Sequence, residues 1–75
     1  MLVCMAHIAL VAHLDTNFGE RQMIIGHDSR GPQIEIYVAP ATGTWTLVAM
    51  NRKGEACIIA SGDNMRIVTD VDPLQ

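Results

Sequence analysis

At Gly19 the apolar residues of this chain change their period, and that change limits the folds open to it. Before Gly19 they recur at helical spacing, at Cys4, Ile8, Val11 and Phe18, with Val3, His7, Leu10 and Leu14 beside them. The other side, formed by Ala6, Ala9, Ala12, His13 and Thr16, is small or mildly polar. The spacing predicts one helix over residues 3–18 with a single core face, ended by Asn17 and Gly19. After Gly19 the period is two. Arg21–Gly26 reads as a strand. So does Gln33–Val38, with Ile34, Ile36 and Val38 inward and Gln33, Glu35 and Tyr37 outward. Thr44–Met50 follows, with Trp45, Leu47 and Ala49 on the face expected to pack under the helix; a register shifted by one would instead expose Trp45 with Tyr37 on the outer face as a binding patch. Glu55–Ala60 is the fourth strand, with Cys57 and Ile59 on one face, and Met65–Val71 is available as a short fifth strand at the edge.

Turn residues separate these runs: Asp28-Ser29-Arg30-Gly31, Pro40-Ala41-Thr42-Gly43, Asn51-Arg52-Lys53-Gly54 and Ser61-Gly62-Asp63-Asn64. The third has the form of a type I turn closed by a left-handed glycine. Successive hairpins make a meander, and its apolar face needs a cover that only the N-terminal helix supplies. The expected fold is therefore a single α+β domain, a helix packed on an antiparallel β-meander of four or five strands. The meander runs over about residues 20–71, with a tail over residues 72–75.

The 75-residue length leaves one small core, which usually calls for a staple or a partner. A net charge of −3 with no basic cluster argues against nucleic acid and anionic membrane as partners. The first 14 residues carry no Lys, Arg, Asp or Glu. That run ends at Asp15 and contains His7 and His13, so it is too short and too polar for a membrane helix. It also lacks the basic start of a signal peptide, which leaves a buried amphipathic helix.

Cys4 and Cys57 admit two readings. A disulfide between them would close a long loop and contribute roughly 4 kcal/mol. Alternatively, both are buried thiols acting as small hydrophobes. A bridge implies a periplasmic, extracellular or virion-associated protein, and free thiols imply the cytoplasm. Cys4 and His7, three apart on a helix, share a face and with Cys57 and His27 form the one set of soft metal ligands, though without a Cys-x-x-Cys or His-x-x-x-His pair. The other reading of the histidines has His7 bordering the core through a hydrogen bond, with His13 and His27 exposed. The carboxylates, Asp15, Glu20, Asp28, Glu35, Glu55, Asp63, Asp70 and Asp72, fall in turns or at outward strand positions and read as solvated charges. The glycines stand one per turn and form no phosphate cradle, so no cofactor is expected.

Several short motifs recur together: a Cys opening a helix, Phe18-Gly19-Glu20-Arg21, Gly43-Thr44-Trp45-Thr46, Gly54-Glu55-Ala56-Cys57 and Ala60-Ser61-Gly62. In this the chain resembles a group of small, largely uncharacterised proteins from α-proteobacteria and the phages that infect them. The likeness runs from about Cys4 to Gly62. Many members look exported, with a signal peptide ahead of the first Cys. This chain has no basic segment there, and Met65 follows Gly62 where the group tends to place an aromatic. The resemblance implies a fold and a disulfide, and no reaction.

These features predict a non-enzymatic interaction or structural module, either a phage-encoded protein or an exported accessory protein. It would work by contact with another protein or with a second copy of itself. The expected contact surface is the strand face carrying Tyr37, Thr44, Thr46, Val48 and Ile58. The alternative is a small metal- or ligand-binding protein using Cys4, His7 and Cys57.

Overall fold

In the computed structural model, which describes residues 3–66 and 68, the chain forms an α+β fold with five antiparallel strands and one helix. The elements are β1 (Val3–Ala6), α1 (His7–Phe18), β2 (Arg21–His27), β3 (Gln33–Val38), β4 (Trp45–Met50) and β5 (Glu55–Gly62). Strands β2 to β5 form the expected meander. The sheet order is β1-β5-β4-β3-β2, so the first strand closes against the last. The fifth strand is therefore Val3–Ala6. Residues 63–66 form none, and the rest of the expected Met65–Val71 strand, like the 72–75 tail, lies largely outside the described residues.

The helix is shorter than its periodicity suggests. Residues 3–6 pair instead with β5, Val3 opposite Ile58 and Ala6 opposite Glu55, because the edge of β5 offers a row of unpaired backbone groups. Sheet pairing thus overrides the helical pattern of the first turn. α1 then carries the chain across one face of the sheet, from edge strand β1 to edge strand β2. Its 12 residues span about 18 Å, close to the roughly 19 Å of four strand spacings that it has to cross. Gly19 ends it in the left-handed region (φ 66°). There the Gly19 N–H donates to the Asp15 carbonyl and the Glu20 N–H to the Leu14 carbonyl.

The helix buries Leu10 and Leu14, whereas Ile8 is 81% exposed and Val11 and Phe18 are also exposed. Under Leu10 and Leu14 lie Tyr37, Val48 and Ala56, with Met5, Met50 and Ile58 packed around them. This reverses the expected register of the meander. Glu35, Tyr37, Thr46 and Val48 face the helix and are buried. By alternation and cross-strand pairing, Ile34, Ile36, Leu47, Ala49 and Cys57 lie on the opposite face. Trp45 belongs to that second set, so it does not pack under the helix. Its ring lies against Gly62, and its Nε1–H donates to the Asp63 carbonyl (3.1 Å).

Both faces of these strands carry apolar side chains, so alternation alone cannot say which one the helix takes. Bulges at Met23 and Ile59 add local irregularity. Ile59 is the unpaired residue of the second bulge and is exposed. The Asn51–Gly54 turn forms as its sequence predicts. Asn51 Oδ1 accepts from the Lys53 and Glu55 N–H groups, and Gly54 has φ 80°. None of the described helices is long and apolar enough to cross a membrane.

Candidate functional site

Three features concentrate polar chemistry or exposed apolar surface. The first lies beneath the start of α1. Glu35 is a 1%-exposed carboxylate, held there by donors from two elements. The Tyr37 hydroxyl donates to Oε1 at 2.6 Å and the Gln33 side-chain amide to Oε2 at 2.6 Å. His7 Nε2 reaches both oxygens, at 2.9 and 3.0 Å. Burial pushes the Glu35 carboxyl up. The hydrogen bonds from Tyr37, His7 and Gln33, together with charge on His7, outweigh this and hold it below its ordinary value. Burial, followed by the bond to Glu35 and its charge, pushes the Tyr37 hydroxyl well above its ordinary range. The network ties the first residue of α1 to β3 through a carboxylate that takes donors from both elements.

His7 thus borders the core through a hydrogen bond. Cys4 and Cys57 sit opposite each other in β1 and β5 and form a disulfide, so neither is a free thiol. Their pairing puts them on the sheet face away from the helix, while His7 lies on the helix side against Glu35. Cys4, His7 and Cys57 are therefore not brought together as a ligand set. His13 and His27 are exposed.

The second feature is a cavity of about 300 Å³ at the end of the sheet, between the last turn of α1 and the ends of β4 and β5. Segments far apart in sequence converge on it: Leu14 and Phe18 with Glu20, Thr44 to Thr46, and Ser61 with Gly62. Glu20 is 3% exposed, and Thr46 Oγ1 donates to its Oε1 at 2.7 Å. Glu20 and Glu35 thus depart from the expectation of solvated carboxylates. Their sequence signal is faint, because Glu35 sits in a regular polar alternation and Glu20 directly follows a capping glycine. Only the helix, laid over both positions, buries them.

The third feature is the sheet face opposite the helix. Ile34, Ile36, Leu47 and Ala49 are half-buried there and Ile24 is 54% exposed. No helix or strand among the described residues covers them. The expected contact surface is corrected accordingly. Tyr37, Thr46 and Val48 are buried in the core, Ile58 packs against it, and Thr44 lines the cavity. The more apolar set faces out, because the helix covers the face whose polar groups it can pair. No family model, curated protein or solved structure matches this chain.

Proposed function

We propose that this chain is a non-enzymatic contact module that pairs with a second copy of itself through the sheet face opposite the helix. One observation carries the reading: the helix covers the face containing Glu35 and Thr46, while the face containing Ile24, Ile34, Ile36 and Leu47 stays open. An uncovered apolar sheet face is unfavourable in water and marks an interaction site. Arg21 and Glu55 stand only at its corners, so two copies related by a two-fold axis bring no like charges together at the centre.

The area also fits a second copy. Five strands of four to eight residues, about six on average, spaced about 4.8 Å apart at about 3.3 Å per residue, give roughly 480 Å² per copy and 1,000 Å² in all. That is the lower bound for a specific interface, so the expected dimer is weak and reversible. The bonds from His7, Gln33 and Tyr37 to Glu35, which tie α1 to β3, support a structural role for those side chains. The Cys4–Cys57 bridge supports an oxidising setting, whether periplasmic, extracellular or on a virion.

Sedimentation across a concentration series tests the reading, with wild type beside Ile36→Lys. The expected result is a concentration-dependent dimer that Ile36→Lys reduces to a folded monomer. A wild-type chain that stays monomeric at every concentration overturns self-pairing and leaves the face to a different protein. A dimer that persists in Ile36→Lys moves the interface elsewhere.

A further inference from the structure

Two hairpin turns stand at the same end of the sheet, one joining β2 to β3 and the other joining β4 to β5. Between them lies a cleft of about 570 Å³, within the range of small-ligand pockets. Its floor is the paired ends of β3 and β4, where Gln33 and Met50 continue the pairing of Ile34 with Ala49. Both floor residues lie on the helix side, since the Gln33 amide donates to Glu35 and Met50 packs against the core. No residue of α1 lines the cleft, and Arg30, Pro32 and Arg52 are exposed, so it is open to solvent.

Arg30 from the first turn and Arg52 from the second both line this cleft, and its lining contains no Asp or Glu. Among the described residues neither guanidinium forms an ion pair. The carboxylates nearest in sequence are engaged elsewhere. Asp28 Oδ1 accepts the Arg30 backbone N–H at 2.8 Å, and Glu55 Oε1 accepts from the Asn51 side chain at 3.0 Å. Of the five Lys and Arg in a chain of net charge −3, three stand on these turns: Arg30, Arg52 and Lys53. Two cations at one cleft repel each other, and an anion between them turns that repulsion into attraction. The turns also hold the arginine backbones in place. The Gly31 N–H donates to the Asp28 carbonyl, and Asn51 Oδ1 accepts the Lys53 and Glu55 N–H groups.

The lining selects which anion. A carboxylate offers one planar pair of oxygens, which a single guanidinium fork satisfies. A phosphate monoester carries nearly two charges at neutral pH and three acceptor oxygens, so it can accept from two guanidinium groups at once. Pro32 and Met50 add an apolar surface beside the charges, and the Met thioether adapts its shape to what packs on it. From these features we infer that the cleft is a binding site for a small organic phosphate monoester. The phosphate would accept from Arg30 and Arg52, and its organic part would lie on Pro32 and Met50.

The test titrates the full-length, nitrogen-15-labelled protein in about 0.15 M salt with phenyl phosphate, benzoate and inorganic phosphate in turn. The readout is the amide resonances of Gly31 and Arg52 and the Nε–H resonances of the two arginines. The expected result is a saturable shift with phenyl phosphate, confined to the two turns, and weaker binding of the other two probes. Arg30→Gln and Arg52→Gln change exposed turn residues and should leave the fold intact. Each is expected to weaken phenyl phosphate binding about tenfold or more. Arg66 is exposed and follows Met65, which bonds to Gly43 at the other end of the sheet. Arg66→Gln removes the same charge there and should change the affinity by less than about twofold, because salt screens it at that distance.

No saturable shift with phenyl phosphate overturns the site. Benzoate binding as tightly as phenyl phosphate overturns the phosphate assignment, and inorganic phosphate doing so removes the role of Pro32 and Met50. An equal loss of affinity in Arg66→Gln and Arg52→Gln would show a diffuse charge effect in place of a site. The three-probe comparison uses wild-type protein, so it decides the matter even if a variant does not fold.

Discussion

The Tyr37 hydroxyl donates a 2.6 Å hydrogen bond to Glu35 Oε1, two residues back on the same face of β3. The pair buries a carboxylate under the helix and lets His7, the first residue of α1, close over it at 2.9 Å. Because this carboxyl is held below its ordinary value of 4.5, the folded state favours its ionised form. Its contribution to stability is therefore present above pH 4.5 and is lost as the pH falls through the lower, folded value. The expected outcome is a melting temperature that declines in acid below that point. Tyr37→Phe should lower stability at neutral pH by about 1–3 kcal/mol and move the acid decline to higher pH. Urea denaturation of both proteins across pH checks this, and parallel profiles would show that the bond to Tyr37 does not tune Glu35.

Cys4 and Cys57 are 53 positions apart, so their bridge constrains most of the unfolded chain. Cys57→Ser is expected to destabilise the protein by roughly 4 kcal/mol under oxidising conditions and by much less when the parent is reduced. Intact mass of unreduced protein, lighter by two hydrogens than the reduced form, reports the bridge. Chemical denaturation with and without reductant then measures its worth.

Val48 and Ile36 separate the two faces of the sheet. Val48 is fully buried beneath Leu10 and Leu14, while Ile36 lies on the open face. Val48→Lys should unfold the domain by burying an unpaired charge, and Ile36→Lys should leave circular dichroism and melting nearly unchanged. Equal loss of structure in both variants would mean that the open face is part of the monomer's core.

Gly62 is the floor on which the Trp45 ring rests. A Cβ there would come within 3.0 Å of ring atoms Cζ2 and Nε1. Gly62→Ala should displace the indole, break its bond to the Asp63 carbonyl and cost about 1–3 kcal/mol. A shifted Trp45 emission maximum is the direct check, and an unchanged spectrum would place the ring elsewhere.

Much of the architecture is legible in the chain itself. The change of period at Gly19 marks where helix gives way to sheet. Strand β3 stands where Gln33–Val38 alternates, and the Asn51–Gly54 turn follows from residues that can adopt its backbone geometry. These features depend on local sterics and spacing, which sequence encodes directly.

The faces were not legible, because Ile34, Ile36 and Leu47 make one apolar alternation and Tyr37, Val48 and Ala56 make another. Choosing between them depends on what the helix can satisfy. His7 finds Glu35 only when α1 lies over the more polar side of β3. Likewise Val3–Ala6 has helical spacing in isolation and becomes a strand because β5 presents an open edge to it. Sequence alone thus determined the helix from His7 onward and the four meander strands in their order, through local backbone preference. Tertiary structure decided the pairing of the first strand, the buried carboxylates and the outward apolar face. Each of these follows from long-range partners whose energies no local pattern contains.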